Sequence, residues 1–426
     1  MLFSPVRSLF LLTFAACSMA ISNAAHAQVA PYLSMDTNTG TVYAHRNAFK
    51  RWSPASLTKL MSAYVTFRAL KAGEITLKSP VRQSRNSISK PPSKMGYKVG
   101  SVMTIDTALN IILVKSANDI SVALAEGVAG SAPAFIRRMN AEAARLGMTG
   151  TNFVNPHGLH SSRQYTTARD MGLLAMALHR EFPEQGFRFR IPAIKSGKKV
   201  MRSHNVLIGR FRGADGMKTG FVCAAGFNLV GSATRRGKRV VSVVLGATSQ
   251  NQRAELSANL LASAFNKRSG TNINRLAPYG EDRNVMANMR PKICSSAASR
   301  ARWEIRDEKG RLKISSPHIQ ARRGELRIVP IRLGGAVGPG VSASQTTAVA
   351  TLNVLPRFRP VNTVSIASAT ALRPTTTANN PFDGVAQPGS LQRATPTPSS
   401  NGSLVGGTTP SGNQGVLAPI PRFRPQ

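Results

Sequence analysis

The chain is 426 residues long and 42% hydrophobic, and carries 56 lysines and arginines against 18 acidic residues, a formal net charge of +38. That length and apolar content support at least one sizeable core within two or three domains. Aromatics make up only 6% and show no basic–aromatic interleaving of the kind that stacks bases, which argues against nucleic acid as the partner of the charge.

Residues 1–27 contain one early arginine (Arg7), an apolar run over 9–16, and "AHA" just before Gln28. This is the plan of a secretory signal peptide with a small-residue cleavage site. The run is too short to span a bilayer, and an uncleaved anchor is the alternative reading. No later stretch is long and apolar enough to cross a membrane. Cleavage would remove Arg7 and no acid, leaving +37. On an exported protein such a field favours anionic wall polymers or lipid head groups. The expected location is the periplasm or cell envelope, with membrane contact at most peripheral.

"YLSMDTNTGTVYAH" (32–45) predicts a hairpin around an Asn-Thr-Gly turn. "RWSPASLTKLMSAYVTFRALKAG" (51–73) predicts a helix, with Leu57, Leu60, Met61, Tyr64, Val65 and Leu70 on the helical period and Gly73 at its C-terminal cap. "SRNSISKPPSKMGYKVG" (84–100) reads as a loop, broken by Pro91, Pro92 and Gly96. Helices are expected over 104–115, onward from 116, over 132–148 and over 166–182. Residues 226–248 predict two strands around an Arg-Arg-Gly-Lys turn, and 253–265 a closing helix. Strands at both ends with helices between them imply an α/β domain: an antiparallel sheet built from the two chain ends, with an inserted helical lobe.

The expected organisation is a signal peptide over 1–27, a main domain over 28–267, a small extension over 268–333 and a disordered tail over 334–426. In the extension, "RWEIRDEKGRLKISS" (302–316) and "GELRIVPIRL" (324–333) are candidate strands of a small module. The tail is rich in Gly, Pro, Ser, Thr and Ala and cannot bury enough to fold. It carries "LPRFRP" (355–360) and "IPRFRP" (420–425), either chance drift or a basic-aromatic anchor. Of the three cysteines, Cys17 leaves with the signal peptide. Cys223 and Cys294 are then an even pair in an oxidising compartment, which implies a disulfide; two free thiols are the alternative.

The first turn of the 51–73 helix raises a chemical question. Ser56 and Lys59 lie three residues apart, on one face. A serine hydroxyl is a poor nucleophile without a base, and a desolvated lysine, or one beside another cation, can be that base. The helix N-terminus adds free N–H groups suited to an oxyanion. An N-cap serine with a solvated lysine is the plainer reading. Ser-x-x-Lys also occurs at Ser87–Lys90, just before Pro91, and at Ser196–Lys199, in a polar Gly-Lys loop; neither is expected to open a buried helix. Two further motifs follow. "VKSANDIS" places Ser116 and Asn118 at the start of a helix, although Ser-x-Asn also begins at Ser84, Ser203, Ser249 and Ser257. "GMKTGF" holds Lys218-Thr219-Gly220, which occurs once, ahead of an apolar strand at 227–233. Its lysine and threonine suit a carboxylate or carbonyl, and its glycine allows close approach of a substrate backbone.

Ser-x-x-Lys, Ser-x-Asn and Lys-Thr-Gly, in that order, resemble the motif set of penicillin-recognising serine enzymes. The stretches "PASLTKLMSAYV", "SANDISVALAE", "NPHGL" and "GMKTGF" with its downstream strands are similar to the low-molecular-mass penicillin-binding proteins, the D-alanyl-D-alanine carboxypeptidases, over about 29–267. The resemblance implies a β-lactamase/transpeptidase-like domain that uses no cofactor and takes peptidoglycan stem peptides, with β-lactams as acylating inhibitors. It assigns Ser56 as nucleophile, Lys59 as its base and Ser116 as proton relay to the leaving D-Ala. Asn118 would hold the acyl-chain amide and Lys59, Lys218 would orient the substrate and raise the local positive potential, and Thr219 would contact the terminal carboxylate, with Gly220 beside them. The N–H groups of Ser56 and Phe221 would form the oxyanion hole. Arg253 falls where a family arginine helps hold the carboxylate; a solvated arginine is the alternative.

Two departures and two rivals complete the reading. Class A β-lactamases need Glu-x-x-Leu-Asn between the second and third motifs; Glu126, Glu142, Glu181 and Glu184 all lack it, so efficient penicillin hydrolysis is not expected. The amphipathic terminal helix of better-known relatives is replaced by "GVLAPIPRFRPQ", with prolines inside any helix. His157 and His160 have no third ligand near in sequence, so no metal is implied. DD-endopeptidase action on crosslinks and a non-catalytic wall-binding role are the rival functions.

Overall fold

The computed structural model describes residues 30–278, 285–297, 314–322 and 324–338, all within the unit Met1–Pro356. The expected signal peptide at 1–27, most of the 302–316 stretch, the tail beyond 338 and both PRFRP repeats lie outside the described residues.

The chain enters through the hairpin β1 (Tyr32–Asp36) and β2 (Thr41–Arg46). Its turn is closed by Gly40, which takes φ +79, a conformation open to glycine at no steric cost. A 3-10 turn, Ala55–Leu57, leads into α1 (Thr58–Lys71). Then follow β3 (Pro80–Arg82), α2 (Arg85–Ile88), β4 (Val102–Thr104), α3 (Ile105–Val114), α4 (Asn118–Ala129), α5 (Ala132–Arg145) and α6 (Ala168–Glu181). After a 3-10 stretch, Pro183–Arg190, come the hairpin β5 (Ala193–Ser196) and β6 (Lys199–Arg202), then β7 (Ala214–Val222), β8 (Gly226–Arg235), β9 (Lys238–Ala247) and α7 (Gln250–Asn266).

The main sheet has the order β10-β2-β1-β9-β8-β7, where β10 is Thr271–Asn272. Its pairings are antiparallel, and β1 lies beside β9 with Leu33 opposite Val243. The two chain ends therefore meet at the centre of the sheet, with the helical lobe inserted between them. β9 reads as a nearly unbroken apolar run, "VVSVVLGA", because both faces are covered: α7 packs on one, and α6 with the helical lobe on the other. On the α7 side, Ala254, Ala258, Leu261 and Ala264 meet Leu229, Ala233 and Val240. Small residues let the helix approach, and burying Leu261 alone contributes about 2 kcal/mol.

α1 runs through the interior and is buried on nearly every side, polar residues included; Ser62 and Thr66 satisfy their hydroxyls on the carbonyls of Pro156 and Ser62. Tyr64 meets Phe182 edge-to-face and Phe67 meets it at a tilt, with centroids 5.3 and 5.5 Å apart. α1 ends at Ala72, and Gly73 takes φ +73 beyond it.

Three local expectations are corrected. Residues 84–100 are not wholly loop: Ser84 and Ser87 form a capping box that starts the one-turn α2, a polar-side-chain signal that apolar periodicity cannot register. Ser87 is buried there, bonded to Gln83 and Ser84 rather than facing Lys90. Lys218-Thr219-Gly220 lies inside a strand, β7, and not in the loop before one. As the edge of the sheet, β7 needs no continuous apolar pattern. The β5–β6 hairpin, which carries the Ser196–Lys199 decoy, has no counterpart in the periodicity.

The described pieces beyond 268 run along this domain. β10 extends the sheet edge, and Ile273 is fully buried behind it. Met289 and Ile293, the latter in α8 (Arg290–Cys294), join the main core. Cys223, in the β7–β8 turn, and Cys294 form a disulfide with Cα atoms 5.7 Å apart. Ile319 bridges to Phe211. From 324–333 only Ile328–Pro330 is a strand, β11, and it pairs in parallel with β5 to give a sheet of order β11-β5-β6. Among the described residues no single helix is long and apolar enough to cross a membrane.

Candidate active site

The Ser56 turn is fixed from three directions before α1 begins. Asn228 of β8 donates from Nδ2 to the carbonyls of Ser53 (2.9 Å) and Pro54 (3.2 Å). Trp52 Nε1 donates to the Ala225 carbonyl at 2.8 Å. Gly158 presses from the third side, where a Cβ would stand 1.9 Å from the Ala55 carbonyl oxygen. Under these constraints Ala55 takes φ +48, a left-handed conformation that costs a non-glycine residue of order 1 kcal/mol. It holds Ser56 where α1 starts.

Lys59, one turn on, is completely buried. Its Nζ lies 3.2 Å from Ser56 Oγ, 2.9 Å from Asn118 Oδ1 and 2.5 Å from the His157 carbonyl. Among the described residues no carboxylate is within ion-pair distance of it. Desolvation, then the Lys218 charge, lowers its pKa well below the usual lysine value, against a smaller opposing pull from Asp119. A neutral amine has two N–H donors and one lone pair. Asn118 and His157 take the donors, and the lone pair remains for the Ser56 hydroxyl proton.

Ser116 sits between α3 and α4 at φ +64. Its Oγ is buried without a hydrogen-bond partner, an orphan that a structural serine would not leave. Asn118 opens α4; its Nδ2 donates to the Pro91 carbonyl at 3.0 Å. Its neighbour Asp119 accepts from the N–H groups of Met95 and Gly96 and so pins the 89–100 loop beside the site.

β7 forms the opposite wall. Lys218 and Thr219 are buried, and burial, then Arg253, lowers Lys218 to about 7. Gly220 faces the Ser56 turn. A Cβ there would lie 2.9 Å from the Pro54 carbonyl and 3.1 Å from the amides of Ser56 and Leu57, so the glycine admits the Ser56 turn of the chain itself, where the sequence had suggested substrate backbone. Phe221 is 41% exposed and stacks on Phe227 at 4.5 Å. Arg253, on α7, is buried rather than solvated. It donates to the His204 carbonyl at 3.2 Å, and burial lowers it to about 10. No acid pairs with Lys218 or Arg253 among the described residues, which makes this wall a receptor for an anion.

Sequence reasoning missed the scaffold of this site. The His157 carbonyl and Gly158 act through backbone, and Asn228, Trp52 and Asp119 through side-chain hydrogen bonds to backbone groups distant in sequence. "NPHGL" and "SANDISVALAE" pointed to His157, Gly158 and Asp119 by likeness alone; no local pattern marks Asn228 or Trp52. His157 is buried, and its pKa is pushed down to about 3 by desolvation and then by Lys59 and Lys90. Its Nδ1 accepts from Leu159 N–H at 3.1 Å, so it is a neutral turn residue. His160 is exposed. Among the described residues no group of three His, Cys, Asp or Glu side chains could hold a metal. Glu126 is bonded to Asn86, Glu142 to Arg68 and Arg145, and Glu181 to Tyr64 and Arg145.

The family model described as D-alanyl-D-alanine carboxypeptidase matches residues 18–249. The chain belongs to the D-alanyl-D-alanine carboxypeptidase family. It is 36% identical to the carboxypeptidase DacC of Escherichia coli over 61% of its own length and 67% of that protein. It is 35% identical to Escherichia coli DacA over 55% of its length, and spans only 60% of that relative. A cefotaxime-bound penicillin-binding protein of Listeria monocytogenes superposes with a TM-score of 0.51 at 30% identity, over 55% of this chain and 96% of the other. In this family member the motifs come together as a serine beside a desolvated lysine, facing a cationic wall with no paired acid among the described residues.

Proposed function

We propose that this is an exported serine D-Ala-D-Ala carboxypeptidase that removes the terminal D-alanine from peptidoglycan stem pentapeptides. The observation that carries the reading is Lys59: buried, without an acid among the described residues, and held by Asn118 and the His157 carbonyl with Nζ 3.2 Å from Ser56 Oγ. Lys218, Thr219 and Arg253 receive the terminal carboxylate. Ser56 Oγ attacks the penultimate D-Ala carbonyl as its proton passes to Lys59 Nζ, and the N–H groups of Ser56 and Phe221 stabilise the oxyanion. Asn118 orients the acyl chain. Collapse of the tetrahedral intermediate breaks the peptide bond, and the unpartnered Ser116 hydroxyl relays a proton to the departing amine. Water then attacks the acyl-enzyme, Lys59 accepts its proton, and Ser56 is regenerated.

The same site is the target of β-lactams, which acylate Ser56. Residues 1–27 act as the signal peptide, 28–267 as the catalytic domain, 268–333 as its extension and 334–426 as a tether. The positive charge concentrates the enzyme on anionic wall polymers through contacts that salt screens.

The test is D-Ala release from a diacyl-Lys-D-Ala-D-Ala peptide, with fluorescent penicillin labelling alongside. Wild type should release D-Ala and label; Ser56→Ala should do neither. Release by Ser56→Ala at the wild-type rate, or none by wild type, overturns the reading.

A further inference from the structure

The β5–β6 hairpin stands between two groups of site residues. At its tip, Ser196 Oγ and Tyr97 OH are hydrogen-bonded at 2.9 Å. Tyr97 belongs to the loop that Asp119 pins through Met95 and Gly96, and from which the carbonyls of Pro91 and Ser93 bond the side chain and N–H of Asn118. At its base, β6 leads into His204, whose carbonyl receives Arg253, and Asn205, whose Nδ2 donates to the Gly216 carbonyl of β7 at 2.8 Å. The hairpin therefore touches both the Asn118 side and the Arg253 side of the cleft.

The outer edge of β5 is not left to solvent. β11 pairs with it in parallel, Ile328 with Ala193, Val329 with Ile194 and Pro330 with Lys195. Ile331 N–H donates to the Lys195 carbonyl at 2.9 Å, and the Ile331 side chain is buried in the main core. Alternate residues of a strand face a given neighbour with their N–H groups. Val329 and Ile331 share one phase, while Pro330, which has no N–H, falls in the other. Beyond β11 the strand is secured again: Gly334 N–H donates to the Val102 carbonyl at 2.7 Å and Val337 N–H to Lys78 at 3.0 Å. A two-stranded hairpin alone is marginally stable, so its third strand decides how firmly it stands.

We propose that the strap at 328–331 is a positioning element for substrate binding: by completing the β11-β5-β6 sheet it holds Ser196 against Tyr97 and the His204 carbonyl against Arg253. The kinetic form of this inference rests on the carboxypeptidase reading. The strap touches no reacting atom, so its loss raises KM for the peptide and leaves kcat near wild type.

The experiment uses the full chain with Val329→Pro, which removes an N–H in the bonding phase, and Ile331→Ala, which loosens the strap without a backbone change. Amide exchange over 193–202 should quicken about tenfold in both, with KM up roughly threefold to tenfold and kcat within about twofold. Tyr97→Phe should raise KM alone, leaving exchange at 328–331 unchanged. Unaltered hairpin exchange in a folded Ile331→Ala variant, or faster exchange with unaltered KM, overturns the proposal. If the wild type releases no D-Ala, the carboxypeptidase reading fails, and hairpin exchange still tests the strap.

Discussion

Lys59 and Lys218 are two buried lysines of one cleft, close enough that the Lys218 charge helps depress Lys59, and neither meets a carboxylate among the described residues. In the proposed reaction their tasks call for opposite states: Lys59 neutral to accept the Ser56 proton, and Lys218 charged to hold a carboxylate.

The first prediction is a bell-shaped pH profile of kcat/KM. The rising limb follows deprotonation of Lys59, well below the ordinary lysine range. The falling limb follows loss of the Lys218 charge near 7 in the free enzyme. Lys218→Arg keeps the charge and should move the falling limb up by about two pH units or more. A falling limb that stays in place in that variant assigns it to another group.

The second concerns stability. The folded pKa of Lys218 lies below its unfolded value, so between about 7 and 10.5 the unfolded chain binds the extra proton. Stability contributed by this site therefore rises with pH through that window, and below it the full cost of a buried charge remains. Lys218→Met should stabilise the fold by about 1–3 kcal/mol near neutral pH, with a smaller gain at high pH, while abolishing hydrolysis. Urea midpoints on the two sides of the window check this.

Gly220→Ala is the third. The new methyl meets backbone atoms at 2.9–3.1 Å, which cannot rotate away, so the Ser56 turn or β7 must shift. We expect kcat/KM to fall roughly 100-fold and penicillin acylation to slow in parallel, with the protein still folded. Gly237→Ala, which meets nothing within 4 Å, should cost about 1 kcal/mol for its positive φ and leave activity intact.

Fourth, a β-lactam adduct on Ser56 should persist. Glu126, Glu142 and Glu181 are each engaged by partners outside the Ser56 cluster, and none carries the Glu-x-x-Leu-Asn sequence. Intact mass after penicillin treatment should show the adduct long after mixing. Rapid turnover without an adduct contradicts this.

The fifth is the Cys223–Cys294 disulfide, which links residues 71 apart in sequence. Replacing both cysteines by alanine should cost about 4 kcal/mol in the chain-entropy account, read as a lower urea midpoint that matches reduced wild type.

The sequence by itself determined the chemistry that is local. Ser56 and Lys59 share a face because one helical turn separates them, Lys-Thr-Gly is unique in the chain, and the strands of β8 and β9 are apolar enough to announce a buried sheet. Only the tertiary structure separated the Ser-x-x-Lys pairs by their surroundings. Ser87 is buried in a helix too, but its hydroxyl is spent on Gln83 and Ser84. Lys59 instead meets Asn118, 59 residues away, and His157, 98 residues away. Burial at that place and then the Lys218 charge lower its pKa, and no periodicity encodes them. The same holds for Gly158 and Gly220, whose lack of a Cβ matters only because the Ser56 turn lies against both. It holds also for β5, whose third strand arrives from more than 130 residues downstream. Local pattern reports which groups the chain can offer; desolvation and approach depend on what folding places beside them.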